Sequence, residues 1–271
     1  MYTERDHTFA VCAYGESQYL DECLASLALQ ELTSNIIVVT STPCKHISDT
    51  AARYGVKLIE SGHAPSIAGD WNFALSQAGT SLVTIAHQDD VYLPDYSAKM
   101  LDCMNATVAK GNAAGQPIIF FTDYGELRDD DVVLDNRILR VKRLMLAPLK
   151  AKRLQGSRVV RRRILSLGCA ICCPSVTYNT DLLGTNVFTS KMKCSLDWDT
   201  WERLSSLRGQ FCYCPDVLML HRIHSGSETT RLIHDNTRSE EDLQILRRFW
   251  PDAIASLIAR LYFTSQESNE A

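Results

Sequence analysis

The residues of this chain best suited to chemistry are His87-Gln88-Asp89-Asp90, which follow the apolar run Ser81 to Ala86. Side chains alternate along an extended chain, so His87 and Asp89 should face one side. Asp90 should face the other side unless the chain has already turned. An imidazole and a carboxylate two residues apart at a strand end suit Mn2+ or Mg2+ shared with phosphate oxygens. A plainer reading stays open: Asp90 or Asp95 caps the next helix and Asp89 sits in a turn.

A second acidic group, Asp197 and Asp199, lies in Ser195-Leu-Asp-Trp-Asp-Thr-Trp201 at the start of an expected helix over 197–208. Carboxylates there either favour the positive end of the helix dipole or act on a substrate proton. Trp198 and Trp201 are core residues or, at an acceptor-facing helix start, a platform for a sugar ring. His221 and His224 stand three apart on an extended stretch. They should point to opposite faces, so that at most one reaches a metal near Asp89. Asn72 suits a turn, and Glu16 the first turn of a helix.

These groups need elements to hold them. Strand-like and helix-like segments alternate over the first 125 residues or so. Phe9–Ala13, 35–39, 56–59, 81–86 and 117–121 read as strands. Segments 17–30, 47–54 and 68–78 read as helices, and Pro94 opens another. That order argues for a parallel sheet with helices on both faces, and ligands of such sheets sit at the carboxyl ends of the strands. Residues 137–163 mix Arg and Lys with Leu, Ile, Val and Met. They read as one or two surface helices with solvated basic faces, or as a lobe meeting an anionic acceptor or a membrane surface. AICCPSVTYN and FCYCPDVLMLHRIH look extended. A terminal helix over 236–262 is interrupted at Pro251.

Composition narrows the class. The 271 residues are 45% hydrophobic and 22% charged, as in ordinary globular proteins. A net charge of −4 gives no signal for nucleic acid. The first residues lack a basic start with a long apolar stretch, and no run approaches the roughly 18 apolar residues of a spanning helix. A cytoplasmic protein is expected, with peripheral contact at the inner face of a membrane through 137–163 as an added reading. The ten cysteines read as buried thiols. Cys169-x-x-Cys172 lacks a second pair with zinc spacing, since Cys212-x-Cys214 is one residue short. No GxGxxG loop follows the first strand, which argues against a nicotinamide enzyme.

Taken in order, several segments resemble glycosyltransferases of family 2 with the GT-A fold. SLVTIAHQDDVYLPDY is similar to their strand and metal motif. FAVCAYGESQYLDECLASLALQ is similar to their first strand, nucleotide-contacting turn and helix. NIIVVTSTP, AGDWNFALSQAGTSL, SLDWDTWERL and HRIHSGS match later segments in sequence, over roughly residues 8–228. The resemblance implies a Rossmann-like, mostly parallel α/β sheet flanked by helices, with a C-terminal helical extension on the acceptor side. It implies a donor-binding half over 1–125, an acceptor-binding and catalytic half over 126–235, and a helical tail over 236–271.

It also implies roles. Ala13, Tyr14 and Glu16 line the base and ribose pocket, and Asn72 and Gln88 lie near the donor. Asp89 binds the metal, with His87 and His224 as further ligands and His221 and Arg222 approaching the metal or the diphosphate. Asp197 is the general base, with Trp198 and Asp199 toward the acceptor. Thr40-Ser41 stands where the family usually has an acidic residue that reads the base, His87 where it has the first acid of Asp-x-Asp, and Leu196-Asp197 where it has Glu-Asp. The expected activity moves a sugar, with inversion, from a nucleoside-diphosphate sugar to a hydroxyl of a saccharide or lipid-linked saccharide, in surface polysaccharide or glycan synthesis. An impaired sugar-nucleotide binding protein is the alternative. A sugar nucleotidyltransferase ranks last, because AYGESQYL offers one glycine and no Lys or Arg.

Overall fold

The computed structural model describes residues 1–109, 115–129, 131–224 and 237–267. Nine strands form one sheet: β1 (His7–Ala13), β2 (Asn35–Thr40), β3 (Lys57–Glu60), β4 (Leu82–His87), β5 (Val91–Tyr92), β6 (Pro117–Arg128), β7 (Asp131–Val133), β8 (Thr177–Asn179) and β9 (Gln210–Ile223). The order is β3-β2-β1-β4-β8-β6-β9-β5, with β7 on β6. The first four strands are parallel, β8 runs against both of its neighbours, and β6 and β9 are parallel again. The chain-order alternation of the first 100 residues is therefore the parallel half, as the apolar runs predict.

Helices α1 (Leu20–Ala28), α2 (Lys45–Arg53), α3 (Ile67–Gln77) and α4 (Tyr96–Ala109) connect the strands of that half. Later come α5 (Arg137–Leu146), α6 (Arg158–Ile164), α7 (Thr180–Leu183), α8 (Leu196–Ser205), α9 (Thr237–Leu246) and α10 (Asp252–Glu267). Successive residues of β1 supply opposite cores, as pleating requires. Phe9 and Val11 join Leu20, Leu24 and Met100 on one face. Ala10 joins Val83, Ile85, Trp198 and Trp201 on the other. Ile245, Leu246, Ala255 and Ala259 belong to that second core, so α9 and α10 are packed against the sheet.

Two segments depart from the sequence reading. The fifth expected strand continues to Arg128, because β9 pairs with it along nearly its whole length. In AICCPSVTYN only Thr177–Asn179 is a strand. Cys173–Ser175 is a 3-10 turn, since Pro174 has no N–H for a ladder. The basic stretch is also less solvated than expected. Arg161 is fully buried, donating to the Leu207 carbonyl at 2.6 Å and lying over the Phe211 ring.

His7 begins β1 with no exposure, between Ser34 Oγ and Thr84 Oγ1, each at 2.8 Å. Burial pushes its imidazole down to about 3. The unfolded chain therefore binds a proton here before the folded one does, and stability falls as pH drops below about 6.5 toward 3. The loss should reach about 1.4 kcal/mol by pH 5.5, at roughly 1.36 kcal/mol per pH unit. Urea unfolding at pH 7.5 and 5.5 checks it. His7→Gln should flatten that difference, and an unchanged pH slope in the variant rejects the assignment.

Candidate active site

The last residue of β4, His87, pairs across to Cys12 at the end of β1, in the interior of the parallel half. A turn follows at once, closed by Asp90 N–H donating to the His87 carbonyl at 3.2 Å. Strand alternation therefore stops before Asp90, and His87, Asp89 and Asp90 bring ligand atoms within 4.8 Å of one another. Asp90 is 0% exposed and sits in this cluster, so it does not cap α4. Its Oδ1 accepts from His221 Nδ1 and from Arg222 N–H, both at 2.9 Å. Its Oδ2 and His87 Nε2 are buried without a hydrogen-bond partner, and His87 Nδ1 lies 3.8 Å from that Oδ2.

The donor set fits a divalent cation. Burial lowers the His87 imidazole, against the pull of Asp90 and Asp89, so a nitrogen lone pair is available near neutral pH. Burial pushes the Asp89 carboxyl up, but His87, His224 and His221 outweigh it and hold it below the usual range. Two carboxylates, an imidazole and unpartnered buried oxygen and nitrogen atoms suit a hard to borderline cation. Trp71 of α3, which the sequence reading passed over, stacks on His87 at 5.3 Å and 16° and fixes the ring plane.

The histidines of β9 correct one expectation. His221 reaches Asp90, and His224 Nε2 reaches Asp89 Oδ2 at 3.0 Å, so both meet the acidic turn. Alternation fails as a guide because His224 lies beyond the strand end. Burial lowers His221, while Asp90 and Asp89 raise it further, leaving it above the ordinary imidazole value. The positioning comes from pairing: Val91 and Tyr92 of β5 bond to Leu220 and Met219 of β9, directly after Asp90 and directly before His221.

Several residues assigned to the donor turn out to hold the site together. Arg222 is nearly buried, with Nε donating to the Asp89 carbonyl at 2.9 Å, Nη2 to Glu22, and the guanidinium 4.3 Å over the Tyr19 ring. Its donors are spent within the protein, on the turn, on Glu22 and, at 3.4 Å, on the Asp129 carbonyl. Gln88 exchanges bonds with Tyr14, accepting its N–H at 2.9 Å and donating to its carbonyl at 3.0 Å. That pair ties the end of β4 to the end of β1. Asn72 donates to Asn186 and to the Phe188 carbonyl, and accepts the Phe188 N–H at 2.9 Å. It anchors that loop to α3.

The Tyr14 ring is 56% exposed beside exposed Glu16, while Ala13 is buried. Gly15, at φ +58°, makes the turn between them and donates to Thr42 Oγ1 at 2.8 Å. Ser41 lies against Asp70, a carboxylate that sequence reasoning missed because it comes from α3. Burial pushes the Asp70 carboxyl up, while Ser41 and His63 pull it down.

Asp197 opens α8. Its Oδ1 accepts the Trp198 N–H at 2.7 Å and its Oδ2 lies 3.7 Å from the Cys169 thiol. Burial raises its carboxyl; Trp198 N–H, Arg238, Lys142 and Cys169 partly offset this. Asp199 lies about 200° around the helix and pairs with Arg248 at 2.6 Å, away from Asp197. Trp198 is 1% exposed and donates Nε1 to the Leu165 carbonyl at 3.0 Å, so neither face of its ring is open to a sugar. The expected acceptor roles of Trp198 and Asp199 are thus replaced by structural ones. The cysteines are free thiols, and among the described residues the only group of three or more potential ligands is His87, Asp89 and Asp90.

Residues 8–168, more than half of the chain, match the model of glycosyl transferase family 2. The chain belongs to glycosyltransferase family 2. No curated protein matches it. Among solved structures, S. aureus TarS residues 1–349 is 15% identical with a TM-score of 0.60, over 94% of this chain and 69% of that one. The same fragment with UDP-GlcNAc gives 15% and 0.59, over 94% and 70%. Glucosyl-3-phosphoglycerate synthase from Mycobacterium tuberculosis, with Mn2+ and UDP-glucose, is 15% identical with a TM-score of 0.52, over 92% and 80%. These likenesses establish the GT-A fold of this family 2 glycosyltransferase.

The loop that leads into α8 of this glycosyltransferase is held by a carboxylate that the sequence reading left in a tail. Glu241 of α9 accepts N–H bonds from Lys193, Cys194 and Ser195 at 2.8, 2.8 and 3.0 Å, just ahead of Asp197. Glu241→Ala should cost about 3 kcal/mol, since orphaned buried donors cost roughly 1–3 kcal/mol each. Glu241→Gln, with one acceptor oxygen, should cost about half of that. Urea unfolding of the three proteins checks the order, and a loss below about 0.5 kcal/mol, as at an ordinary surface site, rejects it.

Proposed function

We propose that this protein transfers a hexosyl or related sugar, with inversion, from a nucleoside-diphosphate sugar to a hydroxyl of a saccharide or lipid-linked saccharide, in surface polysaccharide or glycan synthesis. The observation that carries this is the meeting of two carboxylate systems. His87, amid Asp89 and Asp90, also lies within electrostatic reach of Asp197, the half-buried carboxylate at the start of α8.

In this reading Asp197 takes the proton from the acceptor hydroxyl as its oxygen attacks the anomeric carbon. The bond from that carbon to the diphosphate oxygen breaks, and the nucleoside diphosphate leaves from the opposite face. His87, Asp89 and Asp90, with His224 beside Asp89, would hold Mn2+ or Mg2+. That ion supplies positive charge to the departing diphosphate. Tyr14 and Glu16 are free to line the base and ribose, and Ser41 with Asp70 stands at the edge of the same crevice. The related folds with UDP-GlcNAc and with Mn2+ and UDP-glucose favour a uridine donor.

Asp197→Asn should lower kcat by two to four orders of magnitude while UDP still binds with Mn2+. Burial raises the Asp197 carboxyl, so the wild-type rate should fall on the acid side around a midpoint above the usual aspartate value. Wild-type turnover in Asp197→Asn removes the base assignment. In Asp89→Ala, calorimetry should find UDP binding no longer strengthened by Mn2+. Because His87 replaces an acid, a binding protein without turnover is the second reading, and absence of both transfer and hydrolysis of sugar donors with Mn2+ would select it.

The acceptor side carries a second proposal, peripheral contact with an anionic membrane. Residues 137–163 hold eleven Lys and Arg and no Asp or Glu, against a chain charge of −4. Exposed Leu144 (74%) and Val159 (76%) stand among exposed Arg137, Arg140, Arg158 and Arg163. Among the described residues no helix is long and apolar enough to cross a membrane. The protein should float with phosphatidylglycerol vesicles and not with phosphatidylcholine vesicles, and salt should release it. No flotation with the anionic vesicles rejects the contact.

A further inference from the structure

Helix α4 lies along β9, and two matching rows of side chains meet there. Lys99, Cys103 and Thr107 follow at intervals of four on α4 and so share one stripe. Cys212, Cys214 and Asp216 follow at intervals of two on β9. Both ends of the alignment are joined. Lys99 Nζ donates to Asp216 Oδ2 at 2.7 Å, and Thr107 Oγ1 lies 3.2 Å from Cys212 Sγ. Four helix residues advance about 6 Å and two strand residues about 6.7 Å, so the rows keep step between those contacts. Cys103, in the middle of the helix row, therefore falls opposite Cys214, in the middle of the strand row. It packs against the core that contains Cys212 and Cys214, and the thiols of Cys103 and Cys214 are hydrogen-bonded to each other.

The pair is chemically unequal. Cys103 is partly exposed, whereas Cys214 is buried. The Cys214 thiol, as donor, pulls the Cys103 thiol below its ordinary value, against burial. Cys103 and burial push the Cys214 thiol up. Burial also pushes up the thiols of Cys12, Cys23, Cys169, Cys172 and Cys173. A thiolate, not a thiol, attacks a disulfide, so Cys103 combines the access and the ionisation that an attacking sulfur needs. Cys214 stands in contact with it as the resolving thiol. The proposed sugar transfer uses neither sulfur.

We propose that Cys103 and Cys214 form a reversible disulfide, a redox modification site that links α4 to β9 when the protein meets a low-molecular-weight disulfide such as oxidised glutathione. The Cys103 thiolate attacks one sulfur of the oxidant and releases the other half as a thiolate. Cys214 then attacks the Cys103 sulfur, gives up its proton, and displaces the second half. The two cysteines lose two electrons and two protons, and the oxidant is recovered as two thiols. Capping Cys103 removes the negative charge that held the proton on Cys214, so the first step prepares the second. The bridge adds a covalent tie between segments that the β5–β9 pairing already joins at Tyr92 and Met219.

Peptide mapping tests the pair. Wild-type protein is held in glutathione buffers of rising oxidised fraction, blocked with N-ethylmaleimide in acid, and digested with trypsin without reductant. The expected product joins peptide 100–110 to peptide 209–222, and dithiothreitol separates them. Fragmentation on either side of Tyr213 should place the bridge on Cys214 and leave Cys212 blocked. In Cys214→Ala the linked peptide should vanish and Cys103 should carry glutathione instead. The wild-type digest decides the pair whether or not the variant folds. No linked peptide in fully oxidised glutathione overturns it, and so does a bridge through Cys212 or a Cys103 found only as the mixed disulfide. A Cys103 that stays unmodified in folded Cys214→Ala overturns its role as the attacking sulfur.

Discussion

A sealed carboxylate organises this molecule. Asp90 has no exposed surface, and an ionised carboxylate in that position needs charged or dipolar partners to offset its lost hydration. Those partners, the His221 ring and the Arg222 N–H, come from a strand more than 100 residues away. The requirement fixes the register of β9 against β5, and that register sets where His224 emerges. Arg222 then closes the arrangement from above, with its guanidinium between the Asp89 carbonyl, Glu22 and Tyr19. The acidic turn is therefore held by the crossing of two distant segments.

The rest of the cleft is built in the same way, by side chains that bind backbone. Gln88 joins the loops after β1 and β4, Asn72 holds the Phe188 loop, and Glu241 gathers three N–H groups ahead of α8. Each uses a polar side chain to fix a loop that carries no regular hydrogen bonding. This leaves few groups to meet substrate: the His87, Asp89 and Asp90 cluster, Asp197 and the exposed Tyr14 ring. A small set of free groups on a fixed frame is what positioning two substrates requires.

How much of this the sequence carried depended on the range of the cause. Short apolar runs and helix periods are local, so β1 to β4 and α1 to α3 were legible to within a few residues. The acidic turn after β4 was legible through ordered motifs. Roles set by distant partners were not. Asn72 looks like a donor contact until the Phe188 loop folds onto it. Trp198 and Asp199 look acceptor-facing until α8 is seen to turn one into the core and the other onto Arg248. Glu241 in a terminal helix gives no local sign that it caps a loop about 47 residues earlier. Strand alternation misplaced Asp90 and the two histidines, because it describes strands and all three residues act where strands bend or end.

The short strand β8 has a mechanical consequence. Running against both β4 and β6, it stitches the parallel group that ends in the acidic turn to the pair that supports α5 and carries His221. Many two-lobed enzymes open and shut like a jaw about a flexible joint. Here a continuous ladder of backbone hydrogen bonds spans the place where such a joint would lie. The floor of the cleft is a single plate, so that a change in its opening falls to the rim, to loops and side chains that stand outside the ladder.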